Sequence, residues 1–228
     1  MSMPKPEQTV RVWDLPTRVF HWVLVLSVVL LVITGHVGGN AIVWHMRLGF
    51  LVAGLLVFRV LWGLVGGHWS RFVSFVHPPS TVLRYLRGQT RDDEHLDVGH
   101  NPLGAGSVLA LLALLAVQVG TGLVADDEIA TTGPLNRFVA GSTAASATHW
   151  HKDIGQVILI ALVLLHVAAI VFYRVKKNRN LVPPMITGDK QLPAGTPASR
   201  DDNRTRALAV VLALGCAALV TWIVRLGG

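Results

Sequence analysis

Two histidines, His151 and His166, stand fifteen residues apart in the run HWHKDIGQVILIALVLLHVAAIVFY, residues 149–173. From Ile154 to Tyr173 this run holds no Asp, Glu, Lys or Arg. An ionisable side chain inside such an apolar stretch is costly enough to imply a task. On an α-helix fifteen residues turn through about 1500°, roughly 60° past whole turns, and rise about 22 Å. The two imidazoles therefore project from similar faces near opposite ends of one membrane-length helix. That separation is far too large for one zinc ion, whose four ligands sit close together. Two metal-bearing cofactors stacked across a bilayer would fit it, and haem is the candidate. A b-type haem takes an imidazole on each face of its iron, and filling both axial positions suits electron transfer rather than oxygen binding.

Each of these histidines then needs a partner on a facing helix, as in cofactor sites of helix bundles generally. The candidates are His21 in the motif FHW, His36, His45 in WHMRLGF, and the more peripheral His68 and His100. On spacing alone His36 competes with His45, because it too lies fifteen residues from His21. His149 is an alternative to His151, although seventeen positions from His166 it faces about 100° away. His68, His77 and His95 read as solvated loop histidines. Cys216 is the lone cysteine, so neither an intrachain disulfide nor a multi-cysteine metal site can form.

The elements that must hold these side chains are transmembrane helices. The chain has 228 residues, 52% hydrophobic and 14% charged, with a mean hydropathy of +0.52. A soluble protein would carry about 25% charged residues. Five runs near 19–37, 42–65, 103–125, 149–173 and 206–225 meet the roughly 20 apolar residues that a spanning helix needs. Asn40 is expected to cap the second helix, and Asn101-Pro102 to open the third. Within 66–101, PPSTVLRYLRG suits a short helix on the membrane surface.

The formal charge is +7 and the isoelectric point 10.3, but the distribution argues against nucleic acid. Fifteen of the twenty Lys and Arg fall in 1–18, 66–101 and 174–206. Such an excess marks cytoplasmic segments, so the expected topology has the amino terminus on the inner side of the membrane. Contact with anionic lipid is a secondary use of the same charge. His45 and His151 then lie near the outer surface, and His21 and His166 nearer the inner one.

In this order the motifs VWDLPTRVFHW, WHMRLGF, FRVLWG, GHNPLGAG, TGLVADDE, WHKDIG, LLH and NLVPPMITGDK cover nearly the whole chain. Together they resemble the bacterial cytochrome b561 family, grouped with the b-type cytochrome subunits of nickel–iron hydrogenases. The resemblance implies an all-α integral membrane protein: a four-helix di-haem bundle over 1–175, a basic cytoplasmic linker over 176–205, and a fifth transmembrane helix over 206–228. It implies two haem b groups, one held by His21 and His166 (inner), the other by His45 and His151 (outer). WHMRLGF favours His45 over His36. The family usually separates the two fourth-helix histidines by fourteen residues, which leaves about −40° from whole turns instead of about +60°. A local bulge near His151 would reconcile the two.

Other residues carry weaker expectations. Arg47 and Lys152 could meet the propionates of the outer haem, and Arg18 or Arg59 those of the inner one, as charge-assisted hydrogen bonds. Snorkelling at the interface explains them as well. Gly49, Gly54, Gly120 and Gly155 could admit close approach, and His100 and Asn101 could line a quinone pocket. No residue is read as catalytic. The implied function is electron transfer across the membrane between a quinone (ubiquinone or menaquinone) and a redox protein such as a c-type cytochrome or hydrogenase module. A stand-alone superoxide:quinone oxidoreductase is a second reading, weakened by the acidic Asp126, Asp127 and Glu128 in the outer loop. An anchor subunit of a hydrogenase-like complex is a third.

Overall fold

Five helices of the computed structural model are long and apolar enough to cross a membrane. The structure describes residues 6–91, 94–129 and 131–227. The helices are α1 (Leu15–Val37), α2 (Ile42–Val65), α4 (Pro102–Val124), the run of α5 (Gly141–His149) into α6 (Gln156–Lys176), and α8 (Asn203–Arg225). Short helices α3 (Pro79–Leu86) and α7 (Val182–Thr187) lie between them. Large apolar side chains such as Leu26, Leu164 and Leu214 are exposed. Faces of that kind belong against lipid, because a protein in water rarely shows so continuous an apolar surface.

α4 begins as its sequence requires. Asn101 Oδ1 accepts the Gly104 amide at 2.7 Å, the N-cap bond that satisfies an otherwise orphaned donor. Asn40 does not cap α2: it lies within a 3-10 turn, Gly39–Ala41, that has no side-chain cap. PPSTVLRYLRG does form a helix, α3.

The chain divides into two compact units. The first comprises Met1–Val19, Val60–Leu109 and Val167–Val210, and polar contacts knit it together. It contains a feature the periodicity does not announce: β1 (Glu7–Arg11) pairs antiparallel with β2 (Asp189–Pro193), from Glu7 opposite Pro193 to Arg11 opposite Asp189. Arg11 reinforces the pairing through Asp189 at 3.0 Å and Asp201 at 3.3 Å. Ser199 joins Val12 and Trp69 by donating to the Val12 carbonyl and accepting the Trp69 amide.

At the base of α1 in this unit sits Asp14, with no solvent exposure. Its Oδ1 accepts the Thr17 amide at 2.8 Å and Trp62 Nε1 at 3.1 Å. Its Oδ2 accepts the Gly67 amide at 3.0 Å and Ser70 Oγ at 2.7 Å. Four donors compensate the buried carboxylate, so its removal would strand several of them. Asp14→Ala is expected to destabilise the protein by about 3 kcal/mol, read as a lower midpoint of thermal unfolding in detergent, whereas Asp14→Asn retains part of that loss.

Lys190 lies on β2 and donates to the Val98 carbonyl at 2.6 Å. Burial pulls its ammonium from an ordinary 10.5 down to about 8, with Asp97 opposing the shift and Arg179 assisting it. Between those values the unfolded chain binds the proton and the folded one does not, so folding stability rises with pH through that window. The thermal midpoint should therefore gain between pH 8 and pH 10 relative to Lys190→Met, which has no proton to lose.

The second unit comprises Phe20–Arg59, Ala110–His166 and Val211–Gly228. Its core is Val52, Leu56, Leu115 and Leu159, with Leu24, Val28, Leu31, Leu111 and Val163 packed around them. Those residues come from α1, α2, α4 and α6. His21, His45, His151 and His166 all belong to this unit.

Candidate haem-binding site

His45 of α2 and His151 face each other. Their ring centroids are 5.9 Å apart and their planes cross at 81°. Each ring is fixed through Nδ1. That of His45 lies 3.0 Å from the Leu31 carbonyl on α1, and that of His151 lies 2.8 Å from the Gln118 carbonyl on α4. A carbonyl only accepts, so the proton must sit on Nδ1, which leaves Nε2 of both rings with a lone pair for a metal. Orienting a metal-binding imidazole through its other nitrogen is the usual supporting arrangement.

The two carbonyls are presented by the same local device. Leu31 is followed by Thr34 and Gly35, and Gln118 by Thr121 and Gly122, giving LVITG and QVGTG. The threonines bond back into their own helices, Thr34 Oγ1 to the Leu30 carbonyl and Thr121 Oγ1 to the Val117 carbonyl. The glycines leave room for the rings. A Cβ on Gly35 would lie 3.2 Å from His45 Cε1, and one on Gly122 would lie 3.0 Å from His151 Cε1.

His151 sits in a π-helical turn, Trp150–Gly155, between α5 and α6. A π-turn bonds i to i+5 and so accommodates one extra residue, which is a bulge of the kind expected near His151. Such a turn disturbs the regular carbonyl ladder, and Gln118 Nε2 donates to the His151 carbonyl at 3.1 Å. Gln118 thus holds His151 from two sides, by its backbone carbonyl and its side-chain amide. Gly155 makes this contact feasible, since a Cβ there would overlap Gln118 Oε1 and approach Trp150 Nε1 to 2.7 Å.

The competing histidines are engaged elsewhere. His36 Nδ1 is 2.8 Å from the Val32 carbonyl and its Nε2 is 3.2 Å from Gln156 Nε2, so both its nitrogens are occupied. His149 is exposed and pairs with Asp153 at 2.8 Å. His100 packs against Trp13 and Phe75, 4.7 Å from each ring. His21 and His166 lie on α1 and α6. Nδ1 of His21 is shielded from solvent and has no hydrogen-bond partner among the described residues. No cluster of three or more His, Cys, Asp or Glu suited to a metal ion occurs among the described residues.

The cations divide. Arg18 donates to the Ile186 carbonyl at 2.6 Å and lies 3.7 Å from Asp201. Arg59 is buried in α2. Arg47 lies over the Trp44 ring, 5.0 Å from its centroid, and borders a cavity of about 440 Å³ with Met46, Phe50, Thr131 and Thr132. Lys152 is exposed on the π-turn. Among the expected close-approach glycines, Gly155 packs tightly against Gln118 and Trp150, Gly54 meets Val220 at an ordinary 3.7 Å, and Gly49 and Gly120 have no protein atom within 4 Å of the Cβ position.

A model of the prokaryotic cytochrome b561 family matches residues 12–188. The chain belongs to the prokaryotic cytochrome b561 family. This b561 protein is 27% identical over 214 residues to the probable Ni/Fe-hydrogenase B-type cytochrome subunit of Bradyrhizobium diazoefficiens, covering 80% of this chain and 86% of the relative. It is 27% identical to the corresponding subunit of Azotobacter chroococcum, covering 81% and 89%. With the probable Ni/Fe-hydrogenase 1 B-type cytochrome subunit of Escherichia coli K12 it shares 23%, covering 78% and 88%. No solved structure matches it. A b561 cytochrome is a membrane electron-transfer protein, and membership implies b-type haem. The donor set fits that group. Two imidazoles on opposite faces of one metal, each nitrogen about 2 Å from it, place their ring centres roughly 6 Å apart. His45 and His151 stand at 5.9 Å with both Nε2 atoms spare.

Proposed function

We propose that this b561 cytochrome carries electrons across a bacterial inner membrane through two bis-histidine b-type haems. The observation that carries the reading is the His45–His151 pair, facing at 5.9 Å with each Nδ1 bonded to a helix carbonyl. His45 and His151 would hold the outer haem, and His21 and His166 the inner one. The bound haems supply reversible one-electron chemistry at their iron.

The chain's residues orient and shelter that chemistry. The Leu31 and Gln118 carbonyls keep the outer imidazoles in one tautomer and one rotation, and make Nε2 the better donor. Arg47 and Lys152 would meet carboxylates at the outer site, and Arg59 those at the inner site. Arg18, which donates to the Ile186 carbonyl and lies 3.7 Å from Asp201, is the other cation available to the inner site. The charge asymmetry supports a cytoplasmic amino terminus. A quinone at one end and a redox protein at the other complete the transfer. The likeness to hydrogenase B-type cytochrome subunits favours a hydrogenase-type partner over a c-type cytochrome, and hence a membrane-anchoring electron subunit. A dithionite-reduced minus oxidised spectrum with haem quantification tests the reading. Two haems per chain are expected. One haem, or none, refutes the two-pair scheme.

A further inference from the structure

We propose that a cavity of about 490 Å³ at the end of α2 and the start of α8 binds the phosphate of an anionic phospholipid. Its walls carry Arg71, Arg200, Arg204 and His68, with Val65 and Leu208 at the apolar edge. No Asp or Glu lines it. Three arginines lining one cavity attract a multivalent oxyanion, and guanidinium–phosphate pairs are among the stronger hydrogen bonds a protein makes.

The nearby polar groups are otherwise engaged, which leaves the arginines to meet an anion. The Gly66 amide donates to the Trp62 carbonyl and the Gly67 amide to Asp14. Asp202 Oδ1 caps α8 by accepting the Thr205 amide and hydroxyl at 2.7 and 2.8 Å, and its Oδ2 reaches Arg200 only at 3.9 Å. Asp201 is taken by Arg11, Arg18 and Arg206. Arg71 Nη2 lies 3.3 Å from His68 Nδ1, and its Nε is shielded with no partner among the described residues. Burial, followed by the fields of Arg71 and His95, holds the His68 imidazole below its ordinary range, and its Nδ1 serves Arg71 as an acceptor.

The apolar edge selects the source of the phosphate. Val65 ends one membrane-length helix and Leu208 lies one turn into another, and they are 54% and 42% exposed. A phospholipid would place its phosphate on the arginines and its chains along these two side chains, whereas free phosphate would use the arginines alone. The proposal stands apart from the haem assignment, since none of the four candidate ligands borders this cavity.

Delipidated protein with its haem bound, in a neutral maltoside detergent, is titrated with dioleoylphosphatidylglycerol, with dioleoylphosphatidylcholine and with inorganic phosphate, following the thermal midpoint. A saturable rise with phosphatidylglycerol alone is expected. In the Arg71→Gln/Arg204→Gln double variant the apparent affinity should fall about tenfold or more, with the haem spectrum unchanged. Arg200→Gln, altering an exposed side chain, supplies a second variant and should weaken binding in the same direction. An equal response to phosphatidylcholine, an effect of phosphate that phosphatidylglycerol does not exceed, or full binding by these variants would overturn the proposal.

Discussion

His151→Ala is expected to halve the haem content, from two to about one per chain, while the protein still inserts and purifies. The reason is local. The His151 imidazole is held by the Gln118 carbonyl at 2.8 Å and faces His45 at 5.9 Å, and the alternatives nearby are already engaged. His36 is bonded through both nitrogens, and His149 points to Asp153. Neither can step in without breaking its own contacts. His45→Ala should give the same single-haem spectrum, and His36→Ala should leave both haems in place. Haem quantification with electron paramagnetic resonance of the oxidised protein checks all three. A His45→Ala protein that retained two bis-histidine signals would remove His45 from the site.

Gly155→Val should be nearly as damaging although Gly155 donates nothing. Any side chain there collides with Gln118 Oε1 and Trp150 Nε1, so Gln118 must swing away and the His151 carbonyl loses its amide partner. Loss of the outer haem is the expected outcome, with the inner haem's spectrum intact. Gln118→Leu separates the two functions of that residue. It removes the amide but keeps the backbone carbonyl that orients the ring. Supporting groups of this kind change metal-site affinity by about 10–100-fold, so Gln118→Leu should retain the outer haem at reduced affinity. Competition for haem by apomyoglobin during dialysis would read that difference. Equal haem retention in Gly155→Val and wild type would show that the π-turn tolerates a side chain and that Gln118 is not needed to close it.

Much of this was legible because the signals are carried by side chains in long elements. Five apolar runs become five helices with ends shifted by only a few residues, apart from the fourth, which α5 extends back to Gly141. The fifteen-residue interval between His151 and His166 allows for a local bulge, and a π-turn is found there. What stayed hidden rests on backbone groups and on distant pairings. The carbonyls of Leu31 and Gln118 have no side-chain signature of their own. Their one trace is the Thr-Gly pair repeated at 34–35 and 121–122. β1 and β2 are short and polar, and they pair across some 180 residues, so no local pattern announces them. Asp14 carries no local signal of its own, because its partners include Trp62 and Gly67 far along the chain. Asn40 failed as a cap because two glycines before it, Gly38 and Gly39, adopt positive φ and carry the chain through the 3-10 turn instead.

The turn at Trp150–Gly155 also works as a phase shifter. A regular helix transmits every insertion or deletion to everything beyond it, since one residue rotates the following faces by about 100°. Here the extra residue is taken up within one turn, so the azimuth of His151 is decoupled from that of His166. Length changes inside 150–155 should therefore be forgiving, because the segment can relax to an α-helical turn and return the two imidazoles to about −40° from whole turns. The same change between 156 and 165 has no such slack and would swing one histidine out of its site. The helix is mechanically two rods with a built-in offset, so the faces of its two histidines can be set independently.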